Sequence, residues 1–256
     1  MKILAIGDVV NENGLQFLKK KLRSLIRSTG ADFTVANGEN AAGTGLLPRQ
    51  AQIMLEAGVD LITLGNHAFR REQLFDLLDD ETQVLRPLNF APQTPGRGWA
   101  EVETGFGKLL LVNLIGRCGM DFGPDNPFLA VDKFLKTHRA RFILVDFHAE
   151  ATSEKLAMAY YLDGRVSALW GTHTHVQTAD AEVFPKGTGY ITDLGMTGAK
   201  RSVLGVKPEE SVNLYLGNPR QTFNGATGAC KLEGAVFTLD NDTGLCTAVE
   251  PLRIED

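Results

Sequence analysis

Hydrophobic and polar positions along this chain repeat in two rhythms. Lys2 to Gly7 is a short apolar run, and Leu15, Leu18, Leu22, Leu25 and Ile26 then recur at helical spacing with Lys and Arg between them, which predicts a strand and its crossover helix. The unit repeats. Phe33 to Asn37 predicts a second strand, a Gly-rich loop runs to Leu47, and Pro48 and Gly58 open and close a second helix. Leu61 to Leu64 predicts a third strand and Phe69 to Leu78 a third helix, with Leu85 and Pro87 in a short extended segment and turns from Pro92 to Gly98. Trp99 to Glu103 and Lys108 to Asn113 predict a hairpin whose second strand is buried. Phe128 to His138 and Thr152 to Leu162 read as helices, Arg141 to Phe147 and Val166 to Trp170 as central strands.

After Trp170 the rhythm changes. Ala181 to Phe184, Tyr190 to Leu194, Cys230 to Leu239 and Thr247 to Ile254 predict strands, Asp240 to Gly244 the turn joining the last pair, and Pro208 to Leu216 one helix among them. The runs before about Trp170 therefore predict a layered α/β sheet and those after it a second, more antiparallel one. The expected fold class is α/β: a two-sheet β-sandwich flanked by helices, four layers in the order αββα. Without an internal repeat or a low-complexity linker, residues 1–256 are expected to form one domain.

Composition narrows the partners. An apolar content of 43% is ample for a core, and a net charge of −5 with basic and acidic residues interspersed leaves no stripe for duplex nucleic acid and no polybasic membrane anchor. No apolar run reaches membrane-spanning length, and the apolar N-terminal stretch is too short for a signal peptide. Cys118, Cys230 and Cys246 are odd in number and far from the histidines, which argues against a disulfide framework or zinc-thiolate site and for a cytoplasmic setting.

Five of the apolar runs end on a metal-capable or proton-transferring residue. Asp8 closes Ile3 to Gly7, Glu39 and Asn40 follow Phe33 to Asn37, Asn66 and His67 follow Leu61 to Gly65, His148 closes Phe142 to Phe147, and the last run enters Gly171-Thr172-His173-Thr174-His175. Carboxyl ends of parallel strands gather along one edge of a sheet, so these residues are expected to share a pocket. Each has a plain alternative: the His-x-His can be a surface pair, Asp8 a cap, Asn40 and Asn66 left-handed turn residues. Jointly, two carboxylates, two carboxamides and three imidazoles make a sulfur-free set that suits two ions such as Mn, Fe, Co or Zn. Without metal, buried carboxylates there would be unpaired charges. Two ions roughly 3.5–4 Å apart and bridged by a carboxylate serve in-line displacement at phosphorus, with a bridging hydroxide as nucleophile. For two divalent ions the charge balance leans toward a diester over a monoester. His67 follows a candidate ligand and stands at the rim, placed to protonate a leaving oxygen or to orient water. His138 reads as a solvated surface residue.

Asp8, Gly38-Glu39-Asn40, Gly65-Asn66-His67, His148 and Gly171 to His175 resemble the calcineurin-like metallophosphoesterase superfamily. Two departures from its general pattern, Val10 in place of a histidine and Glu39 in place of a bridging aspartate, resemble the YmdB family of bacterial phosphodiesterases. So do Asn37 to Ala42, Asp146 to Lys155, Gly171 to Asp180 and Tyr190 to Gly198, and the likeness spans nearly the whole chain. The resemblance implies that Asp8, Asn40 and His175 hold one metal, that Asn66, His148 and His173 hold the other, that Glu39 bridges them, and that His67 is the proton donor. It implies hydrolysis of cyclic nucleotides, 2′,3′-cyclic and also 3′,5′-cyclic. Arg70, near the rim, departs from the family's pattern and bears on substrate preference.

The expected cofactors are two metal ions per chain, iron and/or manganese. The expected partner is a small cyclic nucleotide or another phosphodiester, with no duplex nucleic acid and no membrane, and a homo-oligomer is compatible with the sequence. Alternative functions are a regulatory nucleotide- or metal-binding protein with incidental turnover, and a phosphomonoesterase of the same superfamily. No substrate-binding residue is assigned: Gly43-Thr44-Gly45 lacks the Lys of a P-loop and reads as a turn, Arg117 is equally a phosphate ligand or a surface residue, and Tyr160, Tyr161 and Trp170 read as core before base-stacking groups.

Overall fold

A computed structural model describes residues 1–80, 83–121, 123–218 and 222–256. In chain order the strands are β1 (Lys2–Ile6), β2 (Asp8–Val9), β3 (Phe33–Asn37), β4 (Leu61–Thr63), β5 (Val84–Leu85), β6 (Trp99–Thr104), β7 (Gly107–Ile115), β8 (Phe142–His148), β9 (Ala168–Thr172), β10 (Glu182–Val183), β11 (Gly189–Ile191), β12 (Met196–Ala199), β13 (Cys230–Leu239) and β14 (Cys246–Glu255). The helices are α1 (Asn11–Thr29), α2 (Pro48–Ala57), α3 (Phe75–Asp80), α4 (Pro127–Thr137), α5 (Thr152–Leu162) and α6 (Pro208–Tyr215). None of the helices among the described residues is long and apolar enough to cross a membrane.

Two sheets form, in the orders β2-β12-β13-β1-β3-β4-β5, with β14 paired to β13, and β10-β11-β9-β8-β7-β6. Alternation along the central strands gives both their faces a burial partner. In β1, Ile3 and Ala5 join Phe33, Leu144, Trp170 and Phe237 in the core between the sheets, while Leu4 and Ile6 face Leu15, Leu18 and Met54 of α1 and α2. In β8, Phe142 and Leu144 point to the same central core and Ile143 and Val145 pack with Val131 of α4 and Met158 of α5. Three apolar layers thus separate four layers of secondary structure, the αββα order expected.

The division of strands between the sheets differs from the expectation. The sheets do not separate at Trp170: β13, late in the chain, pairs antiparallel with β1 at the centre of the first sheet, and β6 to β9 build most of the second. Both sheets are mixed, with β1, β3, β4 and β5 parallel in one and β7, β8, β9 and β11 parallel in the other. Periodicity reports which residues alternate and is silent on pairing partners, so the first-half and second-half strands interleave without a sequence signal. β12 lacks such a signal because two of its four residues, Gly198 and Ala199, are poor strand formers. The third helix begins late: residues 65–71 turn back on themselves, with Ala68 and Arg70 amides bonded to Gly65 and His67 carbonyls, before a 3₁₀ turn leads into α3.

The junction of β1 and β2 depends on Gly7. A Cβ built there would lie 2.1 Å from the Gly195 carbonyl oxygen, an atom that also accepts the Asp8 N–H at 3.2 Å. Gly7→Ala is expected to lower the urea midpoint by the equivalent of about 1–3 kcal/mol, the usual cost of overpacking, with an unchanged denaturant slope. A wild-type midpoint would show that this approach is not tight.

Candidate metal centre

The strand ends predicted to gather do so, across both sheets. Asp8 opens β2 just after β1, Glu39 and Asn40 follow β3, and Asn66 and His67 follow β4 in one sheet, whereas His148 ends β8 and His173 and His175 follow β9 in the other. The pocket therefore lies on the shared carboxyl edge of a sandwich, where a single sheet had been expected. Asp8, Glu39 and His148 are fully buried, and His67 keeps about a fifth of its side chain exposed at the rim.

His148 Nε2 is the densest point. Asn66 Oδ1 lies at 2.9 Å, Glu39 Oε1 at 3.0 Å and His173 Nδ1 at 3.1 Å. Its other nitrogen, Nδ1, lies 2.9 Å from Thr172 Oγ1, and that hydroxyl donates to Asp146 Oδ1 at 2.8 Å. With the threonine proton committed to Asp146, Nδ1 carries the hydrogen and donates, so Nε2 turns its lone pair toward three atoms that themselves accept. One extra proton could serve one of them; a cation could serve all. Glu39 Oε1 makes the point directly: it is buried and accepts no hydrogen bond among the described residues, with His148 Nε2 at 3.0 Å at ion-pair distance only. The ligand atoms of Glu39, His148 and His173 lie within 4.8 Å of one another.

A second group adjoins the first. Asp8 Oδ1 lies 3.5 Å from His175 Nε2 and accepts from Asn40 Nδ2 at 3.4 Å, Asn40 Nδ2 stands 3.2 Å from His175 Nε2, and Asp8 Oδ2 accepts the His173 N–H. Asn40 Oδ1 faces His67 Nδ1 at 3.0 Å, and the His67 N–H donates to Glu39 Oε2 at 2.9 Å. All eight residues picked from the sequence are thus in one connected cluster.

Backbone shape brings them there. His173 and His175 both take left-handed φ values, 103° and 62°, unfavourable for any residue but glycine and here flanking Thr174. Gly65 lies flat over the His148 ring, where a Cβ would come within 2.2 Å of Nε2.

The electrostatics point the same way. Burial penalises the carboxylates of Asp8 and Glu39, yet neighbouring imidazoles, His175 for Asp8 and His148 for Glu39, hold both below the ordinary range. Burial likewise disfavours an imidazolium at His148, but Glu39 and Asp8 outweigh it and lift this histidine to about 9. Burial and the charge of His148 push His173 down to about 4. Burial holds His67 below its usual value despite Glu39, with the cation of Arg70 adding to the effect. Asp146, buried behind Thr63 and Thr172, rises to about 6.

Several groups escaped the sequence reading. Thr172, Asp146 and Thr63 form a hydrogen-bonded chain behind His148, and Glu150 Oε2 stands 3.1 Å from His173 Nε2. Asp146 and Glu150 sit in a stretch already conspicuous around His148, but no spacing rule assigns such partners. Arg71, beside Arg70, ties down the Gly-rich loop by donating to the carbonyls of Thr44 and Ala42. Arg117 is exposed, and its backbone N–H is held by Glu154. Trp170 is in the central core, while Tyr160 and Tyr161 are exposed. His138 is not merely solvated: its ring stacks on Phe134 at 4.1 Å and meets Trp99 edge-on.

The model of the YmdB-like protein family matches residues 4–252. The 2′,3′-cyclic-nucleotide 2′-phosphodiesterase of Bacillus subtilis (strain 168) is 42% identical over 261 residues, covering 100% of this chain and 98% of that protein. A hypothetical protein from Thermus thermophilus has a crystal structure with a TM-score of 0.94, 44% identity and full coverage of both chains. The calcineurin-like phosphoesterase YfkN from Bacillus subtilis superposes with a TM-score of 0.60 at 11% identity, covering 100% of this chain and 90% of the other, a likeness of fold alone.

Because His148 holds its extra proton up to about 9, a divalent cation entering this cluster must displace that proton. Affinity for Mn²⁺ is expected to rise about tenfold per pH unit through neutrality and to level off above about 9. Titration calorimetry at pH 7.5 in buffers of different ionisation enthalpy reads the released proton; buffer-independent heats would contradict the assignment.

Proposed function

The chain belongs to the YmdB-like family, and we propose that it is a metal-dependent phosphodiesterase that opens the 2′,3′-cyclic phosphate of nucleotides and also accepts 3′,5′-cyclic ones. The observation that carries this reading is the convergence of acceptor atoms on His148 Nε2 beside a buried, unsatisfied Glu39 oxygen. The whole-length likeness to the Bacillus subtilis enzyme supports the substrate class.

The donor set fits metal. Asn66, His148 and His173 would hold one ion, Asp8, Asn40 and His175 a second, and Glu39 would join them. Nitrogen and oxygen donors without thiolate suit iron or manganese. As placed, Asn40 gives Oδ1 to His67 and Nδ2 to the Asp8 and His175 side, so it would join that ion's ligands only by turning its amide, at the cost of its bond to His67 Nδ1. When bound, such ions acidify a water for attack and neutralise charge on the phosphoryl oxygens.

The chain's own residues do the rest. Thr172 and Asp146 fix the tautomer of His148, so its Nε2 lone pair faces inward. With Asn40 Oδ1 accepting from His67 Nδ1 at 3.0 Å, the His67 imidazolium keeps its second proton on Nε2, the nitrogen away from Asn40. From the rim His67 passes that proton to the departing ribose oxygen, a poor leaving group that needs it. Burial depresses His67 in the empty site, and the negative charge of a bound phosphodiester opposes that depression.

His67→Ala is expected to retain wild-type metal content and to lose about 10²–10⁴-fold in turnover of 2′,3′-cyclic AMP, the usual worth of a positioned acid. Bis(4-nitrophenyl) phosphate, whose leaving group needs no proton, is expected to suffer far less. Equal losses on both substrates would remove His67 from this role, and full activity of metal-stripped wild-type protein would sink the proposed function itself.

A further inference from the structure

Lys155 and Asp193 form an ion pair with no solvent exposure on either side chain, Nζ to Oδ2 at 2.7 Å. Neither residue is assigned a part in the chemistry above, yet both lie in segments already singled out around His148 and after Tyr190. A buried pair of this kind is weak evidence of stability, since packed apolar residues often serve as well. Its hydrogen bonds suggest what it does instead.

Asp193 Oδ2 also accepts the N–H of Thr174 at 3.1 Å, the residue between the two left-handed histidines, and Oδ1 accepts the N–H of Gly195 at 2.9 Å. The Gly195 carbonyl in turn accepts the Asp8 N–H. One carboxylate is therefore tied to the backbone of both the His173–His175 segment and Asp8, which are 165 residues apart at His173. Asp193 is itself clamped, its N–H donating to Thr178 Oγ1 at 3.0 Å and its carbonyl accepting the Thr178 N–H at 3.1 Å. Lys155 reaches the carboxylate from α5 by crossing Gly171, where a Cβ would lie 2.8 Å from Lys155 Cδ and 1.8 Å from the Thr192 carbonyl oxygen. The glycine that opens the His-x-His segment is thus the opening through which the lysine passes.

We propose that Lys155 and Asp193 are positioning residues that hold Thr174 and Gly195, and through them His173, His175 and Asp8, in ligating geometry before any cation arrives. The strained φ values of the two histidines need an outside restraint, and the Thr174 N–H bond supplies it at the point between them. The lysine aims the carboxylate and opposes the burial that raises its pKa, so that both its oxygens serve as acceptors. This inference rests on the metal site of the proposed function, and its tests separate the two.

The first test uses wild-type full-length protein, stripped of metal with chelator and then reloaded with Zn²⁺ to keep it diamagnetic. Amide exchange followed by NMR is expected to show Thr174 and Gly195 N–H groups protected to a similar degree in both states. Rapid exchange of Thr174 without metal, with protection only after loading, would overturn the proposal because the cation would then be shaping the segment.

The second test compares Lys155→Met/Asp193→Asn, which removes both charges together, with Asp193→Asn alone. Each is expected to bind Co²⁺ roughly ten- to a hundredfold more weakly than wild type, the range for loss of groups that orient metal ligands, with a changed visible absorption spectrum. On 2′,3′-cyclic AMP at saturating metal, kcat is expected to fall more than KM rises. A folded variant with wild-type cobalt affinity and spectrum overturns the inference. If both variants fail to fold, the wild-type amide exchange alone decides it. Wild-type protein that binds no metal at all defeats the proposed function, and protected amides in that protein would still establish the clamp.

Discussion

Everything else in this structure accommodates one electrostatic constraint: two carboxylates, Asp8 and Glu39, fully buried beside an imidazole whose inner nitrogen meets three acceptor atoms. Negative charge and lone pairs concentrated out of water repel one another unless positive charge is shared among them. The chain answers partly with its own protons, which is why His148 is lifted to about 9 while its neighbour His173 is driven to about 4. Two imidazoliums side by side would replace one repulsion with another. A cluster that accepts one proton where several acceptors remain unserved is built for a stronger cation.

The protein holds this arrangement by fixing the far side of each ring. His148 Nδ1 is bound to Thr172, His173 Nε2 to Glu150, and His175 Nδ1 is held against the Leu204 carbonyl by donating to it at 3.1 Å. Each ring is then free to present only one nitrogen to the interior. The supports come from elements as distant as Asp146 on β8 and Asp193 after β11, so the sandwich has to be assembled before the centre has its shape. The close approach of Gly65 to the His148 ring lets the two sheets' edges meet.

Much of this was legible in the sequence, for a physical reason. Strand ends are marked by an apolar run giving way to a polar residue, so Asp8, Glu39, Asn40, Asn66, His67, His148, His173 and His175 could be named by position alone, and parallel topology brings such ends together. Most helix and strand segments followed from periodicity as well. The pairing order did not, because β13 presents the same alternation whether it joins β1 or a sheet of its own. Nor could the supporting residues be found: Thr63, Thr172 and Lys155 look like ordinary strand and helix residues until the fold sets them against Asp146 and Asp193. Their role lies in a contact partner, and one sequence contains no contacts.

The position of His67 shows why the rim differs from the interior. It is half-buried, tied through its own N–H to Glu39 and through Nδ1 to Asn40, yet the loss of hydration and the nearby cation of Arg70 together keep it readier to lose its proton than a free histidine. An acid that is weakly protonated in the empty pocket delivers protons to no stray water. On the proposed function, a phosphodiester would change that balance by bringing an anion to the rim, which favours the imidazolium. On the proposed function, then, substrate charge itself arms the proton donor, and a neutral ester of similar shape would bind without that gain.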